Sequence, residues 1–509
     1  MGAGIAQLAC QAGARTLLHD PFPDALARGA EAVRAGLEKA VARGRMTQEE
    51  CAAAAARLET AESMEGLAPC DLVFEAAPEI PAVTAERFER LSGIVAETCV
   101  LATNTSSLPV TGLAASATHP ERVVGMHFFN PAPVMRLVEV IAGDQSSEEA
   151  IALARAAGEA MGKRVILAAD GPGFLVNRCG RPFGMEALRL VQDRVASVEQ
   201  VDRICRMGGG FRMGPFELMD LVGVDTGYDV QRSFWELSFG EPRWRPSTIS
   251  ARMVAAGRLG RKSGRGYYDY PPGPPGDPEP PAEGGGGGRV VVAGYLAIAD
   301  ELREAATRAG FAVADSVDPG GEPPWLIVDC GAAEDVEAPL QGGPSLILCA
   351  DGSLSALDPA GTAAGFHALP PLGGSQLIEL TRSQTTSDLA MERTEAFFAA
   401  LGKHAEWVAD APGLVLGRIV CQLVNEAAFA LREGVGSAED VDAGMTLGLN
   451  HPHGPLHWAD TIGLDHVLAV LDALYEEERQ ERYRACPDLR RLVWEGLGQA
   501  RNVDDSLPG

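Results

Sequence analysis

The chain has 509 residues, a formal charge of −27 and no Lys/Arg-rich stretch, which excludes a nucleic-acid partner or an anionic membrane surface held by charge. Its length allows roughly three or four domains, and no apolar run approaches a membrane span. The ten cysteines occur singly, without CxxC or metal-ligand spacing, which points to a reducing, cytoplasmic setting and not to a disulfide framework.

Met1-Gly2-Ala3-Gly4-Ile5-Ala6-Gln7 reads as the back half of a glycine-rich dinucleotide fingerprint. Gly2 stands where helix and strand pack closely, while the strand and the two glycines of the front half are absent. The expectation is a start misplaced inside the fingerprint, with roughly ten or more residues upstream carrying the missing strand. Ile5, Leu8 and Ala9 repeat at helical spacing, Gly13 closes that helix, and Thr16-Leu17-Leu18 runs as a strand to Asp20. An acid at that strand end holds adenosine ribose hydroxyls and disfavours a 2′-phosphate, which would make NAD the preferred cofactor; Asp20-Pro21 also suits a plain turn.

Strand-like runs alternate with helices to about residue 168, among them 71–75 and 100–103, and helical periodicity dominates afterwards. Helices are expected over 181–194, 198–207 and 225–239. The pattern predicts a Rossmann-like α/β domain over 1–168 and an all-α domain over 169–270. A Pro/Gly-rich linker occupies 271–288. Beyond it, punctuating residues recur at a constant offset of 240 positions: Asp170 and Asp410, Pro172 and Pro412, Gly214 and Gly454, Asp220 and Asp460, His127 and His367, Glu139 and Glu379. This predicts an internal duplication, with a degenerate α/β domain over 289–408 and a second helical domain over 409–509.

The chemistry concentrates where the run 123–127 enters Phe128-Phe129-Asn130-Pro131 and a second strand, 136–141, returns. Glu139 is the lone acid among apolar neighbours, a costly position unless a donor or a positive charge meets it. His127, across the turn, is the nearest candidate, with Arg136 as the alternative. A carboxylate on one imidazole nitrogen leaves the other free as a base, as alcohol oxidation requires. A structural histidine at a strand end is the competing reading. Thr103-Asn104-Thr105-Ser106-Ser107 follows a buried strand at its carboxyl end, where open α/β sheets bind ligands. Its amide and hydroxyl groups suit a substrate hydroxyl or a nicotinamide carboxamide, or simply a helix cap. His451, His453 and His457 lie on a Pro-containing turn, a poor geometry for zinc, so no metal is expected.

These motifs, together with Asp170-Gly-Pro-Gly-Phe-Leu-Val-Asn-Arg178 and Met213-Gly-Pro-Phe-Glu-Leu218, resemble the 3-hydroxyacyl-CoA dehydrogenase family in its tandem bacterial form. The resemblance is strong to about residue 270 and weaker over 365–500. It implies NAD-dependent oxidation of an (S)-3-hydroxyacyl-CoA in fatty-acid or aromatic-acid catabolism. It makes His127 the base and Glu139 its partner, and sets Ser106 and Asn177 around the reacting carbon of the substrate. Gly2, Asp20, Glu79, Asn104 and Asn130 fall on the cofactor side. In the second copy Gly417 stands for Asn177 and Pro370 for Asn130, so that copy is expected to be silent. An acyl-CoA substrate and a homodimer are the implied partners. The alternative is a non-catalytic, acyl-CoA-binding or structural paralogue.

Overall fold

The computed structural model describes residues 1–317, 321–331, 343–359 and 361–504, with side chains described up to 495. Parts of the expected domain 289–408 and the last five residues of 409–509 therefore lie outside the described residues. The chain forms two compact units, one of Met1–Arg178 with Glu433–Leu449 and one of Cys179–Arg432 with the residues from Asn450 onward.

The first unit is built on short parallel strands. β1 (Thr16–His19) pairs with β2 (Leu58–Ala61), and β3 (Leu72–Glu75), β4 (Val100–Thr103), β5 (Val123–Phe128), β6 (Leu137–Ala142) and β7 (Arg164–Ala169) form a five-stranded sheet in that order. All neighbours run parallel except β5 and β6. β5 is buried at every position and β6 at all but its last, which is why their sequences read as nearly unbroken apolar runs. Helix Gly2–Gln11 puts Ile5 and Leu8 into a core with Ala102, Val124, Met126 and Val140. Gly125 faces Ile141 across the ladder, and a Cβ there would lie 2.8 Å from the Ile141 Cβ, so the close pairing of β5 with β6 needs a glycine.

The second unit contains a seven-stranded sheet made from β8 (Arg289–Ala293), β9 (Ala312–Ala314), β10 (Leu326–Asp329), β11 (Ser345–Leu348), β12 (Ala364–His367), β13 (Leu377–Arg382) and β14 (His404–Trp407). Its order is β14-β13-β12-β11-β10-β8-β9, parallel except between β12 and β13. The expected helices appear as Arg181–Gln192, Val198–Arg203 continued by a π-type turn Ile204–Gly208, and Val224–Leu237. Residues 271–288 contain no helix or strand but are not free: Asp277 pairs with Arg206, Gly284 donates to Ala400 O and Gly286 to Ala309 O.

Helices Arg181–Gln192 and Leu416–Arg432 are tied by the buried pair Glu186 and Arg418. Arg418 donates to Glu186 Oε2 at 2.9 Å, to Asp193 at 3.2 Å and to the Tyr483 hydroxyl at 2.6 Å. Replacing one member of such a pair strands the other in low dielectric. Arg418→Leu is expected to lower unfolding stability by about 3–5 kcal/mol, read from urea melts; a loss below about 1 kcal/mol, the scale of an exposed pair, would contradict this.

Candidate active site

Antiparallel pairing sets His127 of β5 directly opposite Glu139 of β6. His127 Nδ1 lies 2.6 Å from Glu139 Oε2; because an ionised carboxylate only accepts, Nδ1 carries the proton. Glu139 is 0% exposed and His127 6%. Glu139 takes His127 as its partner and not Arg136. Nε2 of His127 has no hydrogen-bond partner among the described residues, and the ring lies between Phe129, at 4.6 Å between centroids, and Phe174, at 6.1 Å.

The other Glu139 oxygen accepts from Leu175 N at 3.2 Å and Val176 N at 2.9 Å. Those amides are aimed by the turn after Asp170, in which Gly173 and Phe174 both have positive φ, 73° and 51°. A bulky residue in that region costs of order 1–3 kcal/mol, and here the conformation delivers two donors to a buried charge. Nothing in the local sequence beyond Gly173 signals this.

The turn is backed by a segment more than 250 positions later in the chain. Helix Ala438–Gly448 packs on β6 and β7, with Arg164 donating to Glu439 at 2.7 Å and Ala169 N to Val435 O at 2.8 Å. Arg178 pairs with Glu433 at 2.8 Å. Gly436, Gly444 and Gly448 make the approach possible: a Cβ would lie 2.7 Å from Leu175, 2.6 Å from Val176 and 2.9 Å from Leu137, respectively. No motif in the sequence marked these residues.

Other expected site residues gather at the carboxyl ends of β3 and β4. Glu79 is exposed, and its carboxylate accepts from Ser106 N at 2.6 Å, from Ser106 Oγ at 2.9 Å and from Ser107 Oγ. Asn104 Oδ1 accepts from Phe128 N at 2.9 Å, which ties β4 to the strand end beside His127. Asn177 is half-buried in the short helix Val176–Cys179, and Asn130 is exposed just beyond β5. Asp20 sits after β1 with Oδ1 accepting from Phe22 N at 2.9 Å. Helix Gly2–Gln11 begins without a side-chain cap, and a Cβ on Gly2 would meet only Ala76, at 3.8 Å. Small residues and unspent amide donors at a helix start suit a pyrophosphate, and Asp20 suits a ribose, so the residues present fit NAD. Gly4 lets the same helix approach the loop after Asn130, its Cβ position lying 3.0 Å from Pro133. Lys163 pins that loop by donating to Ala132 O and Met135 O, and burial pulls its ammonium down to about 8.

The later sheet carries a histidine and a glutamate that are arranged differently. His367 and Glu379 again face each other across a ladder, and Glu379 accepts from Val415 N at 2.6 Å and Leu416 N at 3.0 Å. His367 does not bond to it. Its Nε2 lies 3.1 Å from His466 Nε2, and its Nδ1 is buried without a partner. The ring occupies the space a side chain at 417 would fill, because a Cβ on Gly417 would lie 2.1 Å from His367 Cε1. Without an imidazole, burial pushes the Glu379 carboxyl up to about 8, and burial holds His466 at about 4. His451 packs against Phe183 and Phe211, away from the stacked pair His453 and His457.

Residues 1–171 match the family model described as the 3-hydroxyacyl-CoA dehydrogenase NAD-binding domain, and residues 173–270 and again 413–503 match its C-terminal domain. The chain belongs to the 3-hydroxyacyl-CoA dehydrogenase family. It is an NAD-dependent oxidoreductase of that family. It is similar to 3-hydroxyadipyl-CoA dehydrogenase of Escherichia coli K12, 34% identical over 494 residues that cover 96% of this chain and 95% of the other. Mitochondrial hydroxyacyl-coenzyme A dehydrogenase of Homo sapiens is 38% identical over 53% of this chain and 88% of its own. The crystal structure of 3-hydroxybutyryl-CoA dehydrogenase from Escherichia coli superposes with a TM-score of 0.83 at 32% identity, covering 98% and 97% of the two chains.

Two outcomes follow from the geometry. Gly444→Val should drive helix Ala438–Gly448 off Val176, disturb the two amides on Glu139 and lower kcat by up to ~100-fold, and adding Val176→Ala should restore most of the loss; an unaffected kcat would show that the helix does not support the pair. A raised carboxyl loses its contribution to stability over the pH range in which only the native state holds the proton. The Glu379 contribution is therefore complete below the ordinary carboxylate range and is lost as pH rises towards 8, whereas the depressed His466 acts in the opposite sense only below 6.5. Stability should thus fall between pH 6.5 and 8, and Glu379→Gln should flatten that slope in melts taken across the range; an unchanged slope would assign it to other groups.

Proposed function

We propose that this protein oxidises (S)-3-hydroxyacyl-CoA to 3-oxoacyl-CoA at the site around His127, with NAD as acceptor. The observation that carries this is the complete His127–Glu139 pair, with its 2.6 Å bond and the second Glu139 oxygen held by two amides. Nε2 of His127 takes the proton of the substrate hydroxyl. The imidazolium that forms is stabilised by Glu139, whose charge is already fixed and needs no rearrangement. Phe129 and Phe174 keep water from the ring, so the partner charge acts at low dielectric. Ser106 and Asn177 would hold the substrate around its reacting carbon. Gly2 and Asp20 would hold the pyrophosphate and ribose of NAD, with Glu79, Asn104 and Asn130 toward its nicotinamide half. NAD, when bound, accepts the hydride from the carbinol carbon.

The two matches to one C-terminal domain, and a later sheet whose antiparallel pair again sets His against Glu, support an internal duplication with domains 1–168, 169–270, 289–408 and 409–509 joined by 271–288. In this reading the second copy is silent, because His367 has left Glu379. Ten free cysteines support a cytoplasmic setting, and self-association as a homodimer completes the proposal.

The test is NADH formation from (S)-3-hydroxybutyryl-CoA and NAD. Wild-type protein should turn over, and Glu139→Gln should lower kcat by ~100-fold or more with KM changed only a few-fold. An inert wild type that still binds acyl-CoA would favour the non-catalytic alternative, and an unaffected Glu139→Gln would remove the carboxylate from the chemistry.

A further inference from the structure

The second unit contains a cavity of about 450 Å3 whose lining includes Arg189, Arg245, Arg482, Gln192, Ser247 and Thr248 and has no acidic residue. In a chain of charge −27 this is an unusual place to find three arginines together. Met185, Arg189 and Arg482 also line a separate, smaller void, whose lining includes Arg181 and Gln422.

Two carboxylates, Glu186 and Glu426, border the smaller void, but both are already engaged. Glu186 is held by Arg418 at 2.9 Å, by Arg189 and by the Tyr483 hydroxyl at 3.2 Å. Glu426 is held by Arg243 at 3.1 Å. Arg181, Arg245 and Arg482 have no carboxylate partner among the described residues. They lie instead over Phe234, Trp235 and Tyr483, at 4.6, 5.9 and 6.0 Å from the ring centroids. Arg181 Nε, Arg482 Nε and Gln422 Nε2 are buried donors with no acceptor, and Gln422 is only 6% exposed. Burial without a counter-charge pulls Arg181 down to about 10.

Of these groups, Arg482, with its unpartnered Nε, and Arg245, without a carboxylate, line the larger cavity, and such groups suit an oxyanion. Helix Thr248–Ala255 adds the positive end of its dipole, with Ser247 as its cap. The cavity volume lies in the range of small-molecule sites and exceeds what a bare ion needs. We propose that this cavity binds a small molecule bearing a phosphate or pyrophosphate group, at a site separate from the His127 pair. Arg189 and Arg245 come from the first match to the helical domain and Gln480 and Arg482 from the second, so the site requires both.

The test uses the full chain without NAD or CoA, whose own pyrophosphates would compete for the cavity, and the variants below separate binding in the cavity from binding at the catalytic site. Inorganic phosphate and pyrophosphate are titrated calorimetrically against sodium chloride of equal ionic strength. Saturable binding of pyrophosphate at one site per chain is expected, weakened about tenfold or more by Arg245→Gln with Arg482→Gln, with NADH formation unchanged. Arg245→Gln alone, at an exposed position, should weaken binding in the same direction even if the double variant folds poorly. Absence of saturable binding, or binding that neither variant diminishes, would overturn the proposal.

Discussion

A carboxylate buried in a sheet interior survives only if every oxygen is met, and Glu139 is the point at which this protein satisfies that demand. Three strictly placed donors surround it: His127 Nδ1 and the amides of Leu175 and Val176. They come from two different parts of the chain. The ladder between β5 and β6 supplies the histidine, and the strained turn at Phe174 supplies the amides. A helix from residues 438–448 holds that turn in place. The catalytic proposal thus rests on a fold-level constraint, because the same contacts that make the buried charge tolerable also aim the imidazole and keep its tautomer.

The later sheet contains a buried glutamate that is met by two amides but by no imidazole. Glu379 keeps both amides, yet Gly417 opens room for the His367 ring, which turns to His466. The carboxyl then rises to about 8 and is held in part as the neutral acid at physiological pH. A His and a Glu thus face each other in both ladders but bond in only one of them, and at position 417 the absence of a side chain leaves room for the turned His367 ring. Pairing on the ladder is necessary for the site and does not by itself create it.

Much of this could be seen in the sequence, because the informative features were local. An acid among apolar strand residues, a histidine twelve positions back and a Pro-bounded reversal between them define one antiparallel pair. Helix periodicity placed 181–192 and 224–237 to within a few residues. What was hidden depends on distant contacts. Helix Ala438–Gly448 carries ordinary amphipathic signals, and only the close approach of Gly444 and Gly448 to Val176 and Leu137 reveals its support of the site. Asn104 looked free to face a ligand, yet its Oδ1 is taken by Phe128 N, a bond no spacing rule foretells. Strand β2, four residues with two exposed positions, gives too weak an alternation to stand out.

Two histidines face a glutamate across a ladder, and only His127 is proposed to do chemistry. The direct measurement is the turnover of (S)-3-hydroxybutyryl-CoA with NAD by His127→Gln and His367→Gln, each checked for native melting. Loss of turnover by ~100-fold or more in His127→Gln, with His367→Gln near wild type, is the expected result. Equal losses in the two variants, or loss confined to His367→Gln, would contradict it.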